Sequence, residues 1–163
     1  MRKTAPALTA ALGVALAFAL SALAPHEHVR AQPHYPQPKL PTVRIDAGIH
    51  VIRAEVADSD RTRAIGLMGR ESLGPNEGML FVFEHKAVHC FWMRNTPLPL
   101  SIAFVDDDGS IVDIAQMAPR SDDSHCPHRP VRFALEMEQG WFAKRGLRAG
   151  ARLTSPSVFA AQR

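Results

Sequence analysis

After residue 41 the apolar segments of this chain are short and bounded by turn signals. Its 163 residues include 13 prolines and 10 glycines, and the apolar runs between them are short. His50 to Ala57 alternates Ile52, Ala54 and Val56 with Arg53 and Glu55, the period of a half-buried strand. Gly78 to Phe83 reads as a buried strand and Val88 to Arg94 as another. Leu100 to Asp106 and Ser110 to Met117 flank Asp107-Asp108-Gly109, and Asp-Gly suits the positive φ of a hairpin turn. Val131 to Glu138 and Ala149 to Thr154 complete the strands. Two short helices are expected. Arg61 to Met68 follows the capping oxygens of Asp58-Ser59-Asp60, and Gly140 to Gly146 forms the other. The pattern predicts a mainly β fold (β-rich α+β), a compact barrel-like or two-layer arrangement of six or seven short strands. A parallel α/β sheet would need longer crossover helices.

The N-terminal end obeys different rules. Arg2 and Lys3 precede an uncharged run rich in Ala, Leu, Val and Phe up to Ala24, the pattern of a secretory signal peptide. Ala22-Leu23-Ala24 offers a cleavage site but leaves Pro25 first; Val29-Arg30-Ala31 leaves Gln32 first, and cleavage is expected after Ala31. Residues 1–31 are therefore the signal, with periplasmic or secreted localisation and no stable membrane insertion after cleavage. Residues 32–41 carry four prolines and read as a linker. Residues 42–155 form the single domain, and 156–163 a frayed tail. Removing residues 1–31 takes away Arg2, Lys3, Arg30 and Glu27, so 19 basic and 16 acidic residues become 16 and 15. A nearly neutral mature chain gives no reason to expect a nucleic-acid partner. A monomer is expected.

Several motifs follow in order: Arg63-x-x-Gly66-Leu-Met-x-Arg70, Glu77-Gly-Met-Leu-Phe-Val-Phe83, and Phe91-Trp-Met-Arg-Asn-Thr-x-x-Pro99-Leu100. Then come Phe104-Val-Asp-x-Asp-Gly109, a Pro119 to Pro127 loop holding Cys126, Ala134-Leu-Glu136, and Gly140, Gly146 and Gly150. This series resembles the uncharacterised family called domain of unknown function 192, whose members are often exported bacterial proteins. The resemblance implies a small β-rich domain and no particular activity. Ser101 stands where relatives often carry Asp, and Gly150-Ala151 where they often carry Gly-Asp, so no carboxylate mechanism can rest on either position. Cys90 replaces a residue that is often small and polar.

Cys90 and Cys126 are the only cysteines. Outside the cytoplasm an even pair reads as a disulfide; free thiols, or a metal site drawing on His89, His125 and His128, are the alternatives. Zinc favours such ligands, but adjacent strand residues face opposite ways and no Cys-x-x-Cys spacing is present, so no metal ligand is assigned. The ligand-binding candidates are Trp92, Arg94 and Asn95 from the central motif, with Arg63, Arg70 and Glu136. In a strand, Phe91 and Met93 share one face while Trp92 and Arg94 share the other. That outer pair could line a sugar or anion site, or could be a stabilising stack. Asn95 before Thr96-Pro97 could equally be a turn residue, and the arginines could pair with Glu71 or Glu77. A Glu in the apolar stretch Phe133 to Met137 needs either a partner or a raised pKa.

No Ser-His-Asp order, phosphate loop, metalloprotease helix or cofactor motif is present, so no catalytic residue and no cofactor is assigned. The reading is an exported, non-catalytic accessory or small-ligand-binding module, its partner a small molecule or envelope component. An envelope-polymer hydrolase using Glu136 or Glu77 as acid, or a protein-contact assembly factor, are the alternatives.

Overall fold

A computed structural model describes residues 35–159; the expected signal peptide lies outside them. Six strands form one mixed sheet in the order β1-β2-β3-β6-β4-β5. They are β1 (Thr42–Ala47), β2 (His50–Ala57), β3 (Glu77–Ala87), β4 (Leu100–Val105), β5 (Ile111–Met117) and β6 (Val131–Glu138). All pairings are antiparallel except β2 with β3. That parallel step contains α1 (Asp60–Ile65), shorter than the expected Arg61–Met68. Ser59 caps it through a reciprocal bond with Thr62, satisfying donors that the first turn leaves free. The second expected helix is a single 3-10 turn, Ala143–Arg145.

Both faces of the sheet are covered. Ile45, Ile52, Leu80, Leu135 and Phe142 fill one side; Met79, Phe81, Met93, Ile102 and Phe104 fill the other. Double coverage explains why Glu55, expected on a solvated face, is buried.

The sheet is open in its strand pairing. Its two edges meet the C-terminal segment instead: Asp46 and Thr154 exchange both backbone hydrogen bonds at 2.8 Å beside β1, while Ile111 donates to Ala151 and Leu153 to Gly109, each at 2.8 Å, beside β5. These contacts replace the expected strand Ala149 to Thr154. The tail expected to fray is anchored as far as Phe159, which is buried and packs edge-on against Phe133 at 5.2 Å.

Two other expectations are corrected. Val88 to Arg94 is no strand: Phe91 and Met93 pair only with the proline-punctuated loop at His125 and Ser121, and Asn95 turns away with φ 61°. Prolines cannot donate to a ladder, so the pairing cannot extend. The proline-rich linker is held on the domain from at least Gln37. The Gln37 amide is buried and donates to Gly66 O at 2.9 Å and Thr62 O at 3.2 Å. This strap supplies the end of α1 with donors that the helix itself lacks.

Candidate functional site

Glu136 is the residue around which the second face is organised. In β6, Phe133, Leu135 and Met137 point to one core and Ala134 to the other, so alternation sends Glu136 to the second side. Register sets it beside Met79 of β3 and Ile102 of β4, and Met79 in turn beside Glu55 of β2. Two buried glutamates therefore lie in one row across the sheet, about 10 Å apart from the usual strand spacing.

Their surroundings differ completely. Glu55 receives the Leu40 N–H at 2.8 Å, the Arg70 guanidinium at 3.0 Å and Lys39 Nζ at 3.3 Å. Glu136 is 4% exposed, and no protein donor among the described residues reaches its carboxyl group. Burial alone pushes its pKa up to about 8, because an unpartnered charge in an apolar setting is far costlier than the neutral acid.

That carboxyl group lies at a cavity of about 340 Å³. The α1 end supplies one wall through Ile65, Gly66, Leu67 and Met68; β3 supplies Phe81 and Phe83. The crossing segment His89 to Trp92 supplies the rest, and Arg63 completes the rim. Gly66 has φ 52°, and a Cβ there would sit 3.2 Å from Phe81 Cζ, so glycine allows the α1 wall to close on the ring. Phe81 and Phe91 meet at 81°, Phe83 and Phe91 at 82°, while His89 stacks on Phe83 at 3.5 Å. The Cys90–Cys126 disulfide, closing 36 residues, pins this segment to the following loop. Both thiols are thereby spent, which removes them from a metal site.

The structure brings together Glu136, Trp92 and Arg63, and it places Arg94, Asn95 and Arg70 elsewhere. Trp92 is 52% exposed with Arg94 stacked 4.5 Å over its ring, and Arg94 Nε donates to Asp122 at 2.8 Å. Arg94 is thus a stacking partner on the outer surface. Asn95 is a turn residue whose carbonyl accepts from Gly69 N. Arg70 pairs with Glu55, an acid that is distant in sequence, instead of Glu71 or Glu77. The Arg63 guanidinium donates to the Asp58 and Val82 carbonyls and to Asp60, so its fork is occupied. Glu77 is held below its ordinary pKa by the Gly74 N–H, against some burial and with help from Lys39 and Arg53; it is ionised and no acid catalyst. Phe81, Phe83, Phe91 and Met68 were missed as cavity walls, since in the sequence they are indistinguishable from core. Ser101 is buried, donating to Gln116 at 2.8 Å and accepting from Gly140 N–H at 2.8 Å, a structural task.

A β-rich α+β domain enclosing one bare acid in an aromatic cavity is the class of protein that this geometry defines. Residues 42–155 match the Uncharacterized ACR family, DUF192, and the chain belongs to that family. Among curated proteins, none matches. Of solved structures, a protein of unknown function from Novosphingobium aromaticivorans DSM 12444 is 34% identical with a TM-score of 0.68, covering 77% of this chain and 94% of that one. A candidate transcription regulator from Sinorhizobium meliloti 1021 is 32% identical with a TM-score of 0.67, covering 72% and 94%.

Proposed function

We propose that the chain is an exported, non-catalytic small-ligand-binding module whose site is the Glu136 cavity. One observation carries this reading: a buried carboxyl group with no protein partner among the described residues opens into a preformed cavity walled by phenylalanines. A group left that way costs folding free energy, so its retention is explained by a ligand that completes it. The volume falls at the low end for small-molecule sites. Export is supported by the disulfide, which belongs to oxidising compartments.

A hydrolase using Glu136 as acid draws on the same raised pKa. It is the weaker reading, because among the described residues no second carboxylate lines the cavity and general acid catalysis on a polymer needs a base or nucleophile within reach. The test is a protein-observed NMR screen of neutral, cationic and anionic fragments. Binders should shift the Gly66 and Phe91 amides and the Trp92 indole together. A screen whose binders all cluster elsewhere, or which finds none at millimolar concentration, refutes the proposal.

A further inference from the structure

Resting on that reading of the cavity, we infer that its ligand is a compact organic cation of the alkylammonium class, seated with its charge against Glu136 and its alkyl groups against the faces of Phe81 and Phe91. Glu136 is acceptor-only once ionised, and Glu55 in the same row shows what this chain does with a structural buried acid: it surrounds it with three donors. No described residue supplies such a donor at Glu136, and the ligand fills that role.

The walls narrow the class further. Phe83 already carries the His89 ring at 3.5 Å and the Arg63 guanidinium at 5.3 Å, while Phe81 stands nearly perpendicular to Phe91, so the electron-rich faces of that pair look in different directions. Such faces attract a cation electrostatically. A planar ring would need a parallel slot, whereas perpendicular faces suit a compact, rounded group.

An anion finds no free guanidinium here. The Arg63 fork is spent on Asp58, Asp60 and Val82, and an anion would meet Glu136 itself. The charge balance is simple. The Glu136 O–H bond breaks, its proton passes to solvent, and the carboxylate left behind pairs with the incoming cation.

Isothermal titration calorimetry on the full chain tests this, at pH 7 in two buffers of different ionisation enthalpy. The probes are tetramethylammonium and butylammonium, their neutral counterparts tert-butanol and pentanol, and butyrate as anion. The cations should bind on the order of tenfold more tightly than the alcohols, with close to one proton released per cation. Glu136→Gln should abolish both the preference and the proton release. Phe91→Leu, which removes a ring face and leaves the acid, should weaken cations more than alcohols. Equal binding of alcohols and cations, or tighter binding of butyrate, overturns the cation class. In those cases shifts at Gly66 and Phe91 would leave the cavity reading standing. Binding of no fragment of any charge at those residues would overturn both.

Discussion

Replacing Glu136 with Gln should stabilise the protein, and by an amount that grows with pH. The folded chain keeps a proton on Glu136 up to a pKa of about 8, whereas the unfolded chain releases it near the ordinary 4.5. A carboxyl group with a raised pKa contributes stability that is complete at low pH and is lost as pH climbs between those two values. At ~1.4 kcal/mol for each pH unit, the loss reaches about 3 kcal/mol at pH 7 and about 5 kcal/mol well above pH 8. Against a typical net stability of roughly 5–15 kcal/mol that is a large fraction. Gln keeps the size and polarity of the neutral acid but cannot titrate. The assay is urea denaturation of both chains from pH 5 to pH 9, and the reported quantity is the difference between their unfolding free energies. All other ionisable groups, including Arg63 and His89 in the same cavity, are common to the two chains, so the difference isolates Glu136. It should rise from pH 5 to about pH 8 and then level off, with Gln the more stable. A flat difference would refute the reasoning, since it would mean that the Glu136 carboxyl is hydrated or paired in the folded state.

The other glutamate of the row behaves oppositely. Glu55→Ala strands the Arg70 guanidinium in a buried position and should cost about 3 kcal/mol in denaturant unfolding, with no gain at any pH. Reducing the Cys90–Cys126 bridge opens a 36-residue loop and should lower stability by about 4 kcal/mol on the loop-entropy estimate, measured by melts with and without reductant. Gly66→Ala forces a side chain onto a backbone with φ 52° and against Phe81; thermal melts should report a loss of roughly 1–3 kcal/mol. Trp92→Ala, at an exposed position, should change stability by less than about 1 kcal/mol while weakening any ligand that shifts its indole.

Legibility in the sequence followed the range of the forces involved. β2 and β6 are observed over their expected residues, and the Asp106–Gly109 turn is in place with Gly109 at φ 83°. Period-two alternation and Asp-Gly chemistry are local, and local signals survive without a structure. β1 went unread although Val43, Ile45 and Ala47 alternate with Thr42, Arg44 and Asp46, because the proline-rich stretch before it masked the start. Its hairpin with β2 pairs Ala47 with His50 across Gly48 and Ile49. Glu136 was singled out because an acid inside an apolar run is anomalous on its face. That Arg70 belongs to Glu55, that Gln37 bonds to the end of α1, and that three phenylalanines line the same cavity as Glu136 depend on contacts between distant segments. No spacing along the chain encodes them.

The C-terminal segment that ties the two sheet edges also sets when the fold can be finished. Ser155 Oγ donates to the Arg44 carbonyl across 111 positions of sequence, and Thr154 pairs with Asp46 beside it. Contacts between such distant residues are slow to form, since the intervening chain must be brought to order first. During synthesis the N-terminal strands emerge well before the residues that bridge β1 to β5. Until they arrive the sheet stays unsealed along both margins.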